Sequence, residues 1–392
     1  ELFRTLPTRV EMVDGMLNAD VVGFHSFDHA RHFLTACQRL CGFEHQSKQG
    51  TLGVNVNGRN VTISVSHIGV ERHRLKNEVE ADKTRRLVKE YEQRRRGSTV
   101  NGSGTSGTSG GRAMTKKRRG SQVQRRLWIV CYESLQRQNG ITLALLAYEH
   151  LLKESPRFRR LTKFVLRCTP RSTRQADCQQ TLSEVEELIQ RIRDKYGLDV
   201  IDFEMKTYYS MSERCALWQS CDIMIKACIQ EGLSLAPLEY LYVKSLVHDV
   251  KGGGDVQGSS SSSSSSSNGG GGGSGGGGPL SCNGVVILSE FCSSARMLNG
   301  ALRINPWNVK TVAETMEQAF KMSPEGGKRR RLRDFAHISN RTSSAWTRRV
   351  MADAYGKDEK SEVTTLDHSK ADATGRTVVS SDMRPFDEKT FL

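Results

Sequence analysis

The sequence holds 392 residues, 36% of them hydrophobic, with Lys+Arg 58 against Asp+Glu 43 and a net charge of +15. That is chain enough for two ordinary cores, and no apolar run approaches the ~18–20 residues of a membrane-spanning helix. The basic excess lies in runs at Arg94–Arg96, Lys116–Arg119, Arg125–Arg126 and Lys328–Arg331, at element ends or in linkers. No zinc-finger spacing, RNA-recognition aromatic motif or basic zipper accompanies them, so a nucleic-acid role rests on charge alone.

Pro7 is followed by Val10, Val13, Met16 and Leu17 at helical spacing, which predicts a short helix. Asp20 to Phe24 reads as a buried strand. Ser26 or Asp28 then caps a helix with Phe33, Leu34, Cys37, Leu40 and Cys41 on its inner face. Leu52, Val54 and Val56 alternate with polar residues, Asn57-Gly58 turns the chain, and Val61, Ile63 and Val65 alternate back: a hairpin. A charged helix from about Arg72 to Gln93 leads into a Gly/Ser/Thr linker.

Past Arg126 strands and helices rotate. Leu127–Cys131, Phe164–Cys168, Asp222–Lys226 and Val285–Leu288 read as strands. Ile141–Leu152, Leu182–Tyr196, Ser234–Val243 and Val309–Met322 read as helices. Such rotation implies a parallel sheet covered on both faces. A Ser/Gly-dominated stretch, 251–280, interrupts this unit between a helix and its next strand. It is expected to loop out at modest cost without altering the fold.

Ten cysteines without a C-x-x-C pair, spread through apparent core segments, argue for a reducing compartment, and a cytosolic location is expected. The chain begins Glu-Leu-Phe-Arg with neither an initiator Met nor a basic-then-apolar leader. The expectation is a fragment rather than a secreted precursor.

One turn stands out as a ligand site. In Ile229-Gln230-Glu231-Gly232-Leu233-Ser234-Leu235-Ala236-Pro237-Leu238-Glu239 a strand gives way to an acidic-Gly turn and then to a helix with free N–H groups. In a parallel sheet this turn falls at the carboxyl edge, where ligands bind, and a helix start suits a phosphate. Glu239 is one and a half turns on, placed to accept from sugar hydroxyls. The alternative is a plain turn with a surface glutamate. His25, His29 and His32 invite a metal reading, but no Asp, Glu or Cys at ligand spacing completes a set. A helix start at a domain surface explains them as well.

Several runs, in order, resemble trehalose-6-phosphate synthases, and more narrowly the class II, synthase–phosphatase fusion type. They are Phe3-Arg4-Thr5-Leu6-Pro7, Leu17-Asn18-Ala19-Asp20-Val21-Val22-Gly23-Phe24-His25-Ser26-Phe27-Asp28, Ala30-Arg31-His32-Phe33-Leu34, Ile68-Gly69-Val70, Gly232-Leu233-Ser234-Leu235-Ala236-Pro237-Leu238-Glu239-Tyr240, Leu288-Ser289-Glu290-Phe291 and Asn305-Pro306-Trp307-Asn308. The resemblance spans roughly residues 1–350. It implies an α/β fold of GT-B type, two Rossmann-like domains with an inter-domain cleft, the N-terminal one incomplete. The expected division is 1–93 for the C-terminal part of the N-terminal domain, 94–124 for a basic linker and 125–322 for the nucleotide-sugar domain, followed by helices in 323–355 and a disordered polar tail, 356–392.

The same resemblance implies transfer of glucose from UDP-glucose to glucose 6-phosphate with retention, without a metal or other cofactor. Glu231 would face the transferred glucose, backbone around Ser234, Leu235 and Ala236 the diphosphate, and Glu239 the ribose. One departure bears on activity. Where the family carries Val-Asp-Arg-x-Asp-x-x-Lys-Gly, this chain reads Val130-Cys131-Tyr132-Glu133-Ser134-Leu135-Gln136-Arg137-Gln138-Asn139-Gly140. Tyr132 stands at the Arg position and Asn139 at the Lys position, with Arg137 out of register, and Glu231 replaces an Asp. Charge-assisted contacts contribute ~1.5–3 kcal/mol each. Losing two is expected to weaken donor or transition-state binding by about two to four orders of magnitude. The expectation is a weakened synthase or, alternatively, a catalytically inactive sugar-phosphate-binding regulatory protein with protein partners. The family's phosphatase motif, Asp-x-Asp-x-Thr, is not in the chain, so no dephosphorylation is expected, and neither nucleic acid nor membrane is an expected partner.

Overall fold

The computed structural model describes residues 2–48, 51–97, 126–171, 175–250 and 284–355. The 251–280 insertion, the 356–392 tail and nearly all of the 94–124 linker lie outside the described residues. The chain divides into two units: Glu1–Gly69 with Arg341–Leu392, and Val70–Asn340.

In the first unit, helix α1 (Arg9–Leu17) precedes strand β1 (Val21–Phe24) and helix α2 (Phe27–Ala36), followed by β2 (His45–Lys48), β3 (Thr51–Val56) and β4 (Arg59–Val65). The sheet order is β1-β4-β3-β2, with β1 parallel to β4 and the rest antiparallel. The hairpin forms where the alternation puts it, pairing Val54 with Val61 and Leu52 with Ile63. Asn57 and Gly58 both take positive φ, 51° and 89°, as a two-residue turn matched to strand twist requires. Val13, Leu17, Phe33, Leu34, Val54, Val61 and Ile63 close the core. Strand β2, His-Gln-Ser-Lys, shows no apolar alternation and exists because β3 offers it an edge.

The second unit opens with α3 (Arg72–Glu80) and α4 (Asp82–Gly97). Sequence order groups these helices with residues 1–93. The contacts instead place them in the second unit, because Val70, Leu75, Val79 and Tyr91 pack among Trp128, Leu217 and Trp218. The Arg95 guanidinium covers the Trp128 ring at 5.0 Å and donates to the Ser220 carbonyl at 2.9 Å. Then follow β5 (Leu127–Ser134), α5 (Ile141–Glu154), α6 (Phe158–Leu161), β6 (Thr162–Thr169), α7 (Gln175–Tyr196), β7 (Ile201–Met205), α8 (Met211–Ser220), β8 (Ile223–Lys226), α9 (Ala236–Ser245), β9 (Val285–Ser289), α10 (Ser293–Met297), β10 (Leu302–Ile304), α11 (Val309–Lys321) and α12 (Pro324–Asn340).

Among the described residues, the six strands of this unit pair in the order β10-β9-β8-β5-β6-β7, all parallel. That is doubly wound topology, with the strand order reversing between β5 and β8, and ligands of such sheets bind beyond the carboxyl ends at the reversal. Residues of α5, α7 and α11 pack on one face and those of α3, α8 and α9 on the other. Strand β9 pairs with β8 in unbroken register, Ile223 with Val285 through Lys226 with Leu288, although 251–283 lies between them in sequence. The remaining helix, α13 (Ser343–Tyr355), belongs to the first unit. There Trp346 Nε1 donates to the Ser66 carbonyl at 3.2 Å and Ser64 Oγ to Asp353 Oδ2 at 2.5 Å. Gly69 marks the crossing: a Cβ on it would lie 1.6 Å from the Arg341 carbonyl oxygen, so only glycine lets the outgoing and returning chain pass there. No described helix is long and apolar enough to cross a membrane.

Candidate functional site

The carboxyl ends of β5, β8 and β9 lie side by side, and the turns that leave them are laced together. Ile229 N donates to the Gln138 carbonyl at 2.8 Å, Ser293 N to the Gly232 carbonyl at 3.2 Å and Ser294 Oγ to the Ser234 carbonyl at 2.9 Å. At the strand reversal sits an ion cluster. Lys226, the last residue of β8, places Nζ 2.7 Å from Glu133 Oε1 on β5 and 3.2 Å from Glu231 Oε1. Lys226 and Glu133 are each 3% exposed at the side chain, Glu231 20%.

Burial opposes the charged form of Lys226, but the two carboxylates outweigh it and hold the ammonium above its ordinary value. Glu133 behaves oppositely. Burial raises its carboxyl, Lys226 only partly offsets this, and the nearby Glu231 raises it further, to about 7.

Beyond Glu231 the chain opens into α9. Leu235 occupies the cap without a side-chain hydrogen bond, and Pro237 lies in the first turn, where a missing N–H costs nothing. Ser234, Leu235 and Ala236 are half-exposed, so first-turn amides stay available to an anion. The structure therefore brings Glu231, Ser234, Leu235, Ala236 and Glu239 onto one turn and the helix it opens. Glu239 is already engaged. Arg214 on α8 forks onto it at 3.2 Å to each oxygen, and Trp218 Nε1 donates to Oε2 at 3.2 Å.

Tyr132 stands beside this group, its ring edge-on to Tyr209 at 5.7 Å and to Trp218 at 5.4 Å. Burial raises its hydroxyl, with the Arg214 cation opposing. Asn139 faces inward: buried, it donates from Nδ2 to the Ser134 carbonyl and to Ser134 Oγ, both at 2.7 Å. Next to it Gly140 takes φ 65°, and a Cβ there would lie 1.8 Å from the Ala227 carbonyl oxygen. Arg137 points away to Glu184 on α7, at 3.2 Å, and adds no cation to the turn.

Several residues of this site carry no local sequence signal: Glu133, Lys226 and Cys292 meet only because β5, β8 and β9 are neighbours. Arg214 and Trp218 were recoverable in part, since Ser210 and Glu213 form a capping box that announces α8, and positions four apart share a helix face.

Cys228 and Cys292, both buried, are hydrogen-bonded to each other, an interaction that raises the first thiol and lowers the second. With Glu231 they form a group of potential metal ligands; His25, His29 and His32 join no such group among the described residues. His29 and His32 are exposed on α2. His25 lies in the first unit, 3.3 Å from the Ser66 carbonyl, beside a cavity of about 280 Å³ also lined by Phe24, Ser64, Trp346 and Asp353.

The sequence matches the model of glycosyltransferase family 20 over residues 1–102 and 113–356. A probable alpha,alpha-trehalose-phosphate synthase (UDP-forming) 7 of Arabidopsis thaliana is 28% identical over 355 residues, 90% of this chain and 36% of that protein. Synthase 1 of the same plant is 26% identical over 349 residues, 88% and 30%. The chain thus spans about a third of the length of these curated relatives.

Among solved structures, the alpha,alpha-trehalose-phosphate synthase of Burkholderia xenovorans in complex with glucose-6-phosphate superposes with TM-score 0.69 at 18% identity, covering 91% of this chain and 65% of that one. The N-terminal domain of Candida albicans trehalose-6-phosphate phosphatase gives 0.68 at 20% identity, covering 90% and 61%. The fold is accordingly α/β of the GT-B type.

Proposed function

The chain belongs to glycosyltransferase family 20, whose model it matches along most of its length, and from that premise we propose a weakened trehalose-6-phosphate-synthase-like glucosyltransferase. Its donor is UDP-glucose, its acceptor glucose 6-phosphate, and the anomeric configuration is retained. The observation that carries this reading is the Glu231–Ala236 turn, which opens α9 without a side-chain cap beside the reversal of the strand order.

A diphosphate at that helix start meets backbone donors and the positive end of the dipole, which stabilise negative charge as UDP departs. Glu231, with one carboxylate oxygen on Lys226, faces the transferred glucose. Glu239 takes the ribose hydroxyls through acceptor capacity that Arg214 and Trp218 leave on Oε1. The weakness comes from the β5 turn. Tyr132 is packed among aromatics and Asn139 is bonded into its own turn, so neither offers a cation to the diphosphate. Arg214, the cation beside Tyr132, is already neutralised by Glu239. Free thiols at all nine described cysteines agree with a reducing compartment, and we place the protein in the cytoplasm.

Those same two positions favour a second reading, a catalytically inactive sugar-phosphate sensor. Calorimetric titration of UDP-glucose into the full chain, followed by a coupled assay of UDP release with glucose 6-phosphate, separates the two. Binding with slow turnover is expected; binding without turnover would leave the sensor, and absence of both would overturn the donor site.

A further inference from the structure

We infer that Cys228, Cys292 and Glu231 form a site for a thiophilic divalent cation of the zinc class, at the carboxyl ends of β8 and β9. The two sulfurs and one carboxylate oxygen all lie within 4.8 Å of one another, and Cys292 Sγ is 3.3 Å from Glu231 Oε2. Tetrahedral zinc, with bonds of about 2.3 Å to sulfur and about 2.0 Å to oxygen, needs sulfur–oxygen edges of about 3.5 Å and sulfur–sulfur edges of about 3.8 Å. The Cys292–Glu231 edge stands close to that spacing, and the other two are no longer than 4.8 Å.

Three further features distinguish this group from thiols that merely pack. First, its carboxylate is oriented: Lys226 holds Oε1 at 3.2 Å and leaves Oε2 toward Cys292 Sγ, the outer-shell arrangement that fixes a single-oxygen ligand. The parallel bridge between Glu231 and Cys292 sets their backbones in register as well. Second, the charges balance. The cation replaces two thiol protons, so the net charge of the buried cluster is unchanged, and Lys226 keeps its pairing with Glu133. Third, the two cysteines are buried while Glu231 is 20% exposed at its side chain. The fourth coordination position therefore opens on the accessible side, where water completes the tetrahedron.

The site itself stands on this geometry alone. One consequence rests on the donor reading given above: an ion bound to Glu231 withdraws that carboxylate from the glucose, so metal and UDP-glucose compete.

The test uses the reduced full chain and cobalt(II) alone as probe. A thiolate-to-cobalt charge-transfer band is expected, saturating at one equivalent and abolished by one equivalent of zinc. Cys228→Ser and Cys292→Ser should each remove the band. Glu231→Gln should keep it but weaken binding about tenfold or more, and Cys178→Ser on α7 should leave it unchanged.

Absence of the band in the unsubstituted chain, or its persistence in both serine variants, overturns the site. So does loss of both thiols to a disulfide under reducing conditions. Should the serine variants not fold, zinc must still protect two thiols per chain from a disulfide reagent in the native protein. Zinc should also lower UDP-glucose affinity about tenfold or more, as expected when a ligand loses one charged contact. Unchanged affinity with an intact cobalt band overturns the competition and leaves the metal site. Failure of UDP-glucose to bind the metal-free chain overturns the donor reading instead.

Discussion

The turns after β5 and β8 leave adjacent strands at the same edge of one sheet, yet they use their polar groups in opposite ways. The first spends them on itself: Asn139 clips Ser134 twice, and Gly140 lies against the Ala227 carbonyl. The second leaves α9 without a side-chain cap and its residues half-exposed. Neighbouring positions on a doubly wound sheet therefore do not share a function automatically. A turn binds a ligand when its donors are left over after folding, whatever its composition.

Lys226 joins the two turns, and removing it should produce the largest effect. Lys226→Met leaves Glu133 buried without its partner and should cost about 3–5 kcal/mol, read as a fall in the thermal midpoint, with recovery in the Lys226→Met/Glu133→Gln double variant. No recovery would mean the ion pair is not what links the turns. Proton linkage gives an independent reading. The folded-state carboxyl of Glu133 is raised above its unfolded value, so its contribution is fully present below about pH 4.5 and is lost as pH rises through about 7. Glu133→Gln should flatten the stability profile across that window.

The glycines sharpen the contrast. Gly140→Ala must adopt positive φ and meet the Ala227 carbonyl, which should cost about 3 kcal/mol. Gly232→Ala meets nothing within 4 Å and should stay within about 0.5 kcal/mol. Equal losses in thermal melts would erase the distinction between a packed and an open turn.

Restoring a cation tests the proposed weakness directly. Tyr132→Arg should tighten UDP binding by about tenfold to a hundredfold, the worth of one charge-assisted contact; calorimetry showing no gain would mean the missing Arg is not what limits the donor site. On affinity, the smallest effect should come from Asn139→Ala, which loses two hydrogen bonds to Ser134 and about 1–2 kcal/mol of stability. UDP affinity should not move, and a matching fall in affinity would place Asn139 in the binding turn after all.

Legibility from the sequence followed the physics of each element. The Asn57-Gly58 hairpin, the rotation of strands and helices past Arg126 and the β8–α9 turn announce themselves through period, turn chemistry and Gly/Pro placement. Strands β2 and β10 do not: four polar residues, or Leu-Arg-Ile alone, become strands only when a neighbour offers a free edge. Strand β7, another edge, and α8 also escaped, the latter despite its capping box. Placing α3 and α4 required knowing that Leu75 and Val79 find Trp218 rather than the preceding hairpin. The candidate site was visible as a turn. Its ionic partners were not, because attraction among Lys226, Glu133 and Glu231 acts across strands far apart in sequence.

The passage of the chain at Gly69 and Arg341 sets the order in which the molecule can be completed. The second unit is continuous, and every residue it needs has been synthesised by Asn340. The first unit is begun earlier but must wait for α13, whose Trp346 and Asp353 reach Ser66 and Ser64. On the ribosome, where domains mature as they emerge, the unit started first is thus the one finished last. Until that helix arrives, the carboxyl ends of β1 and β4 that it contacts stay open to chaperones.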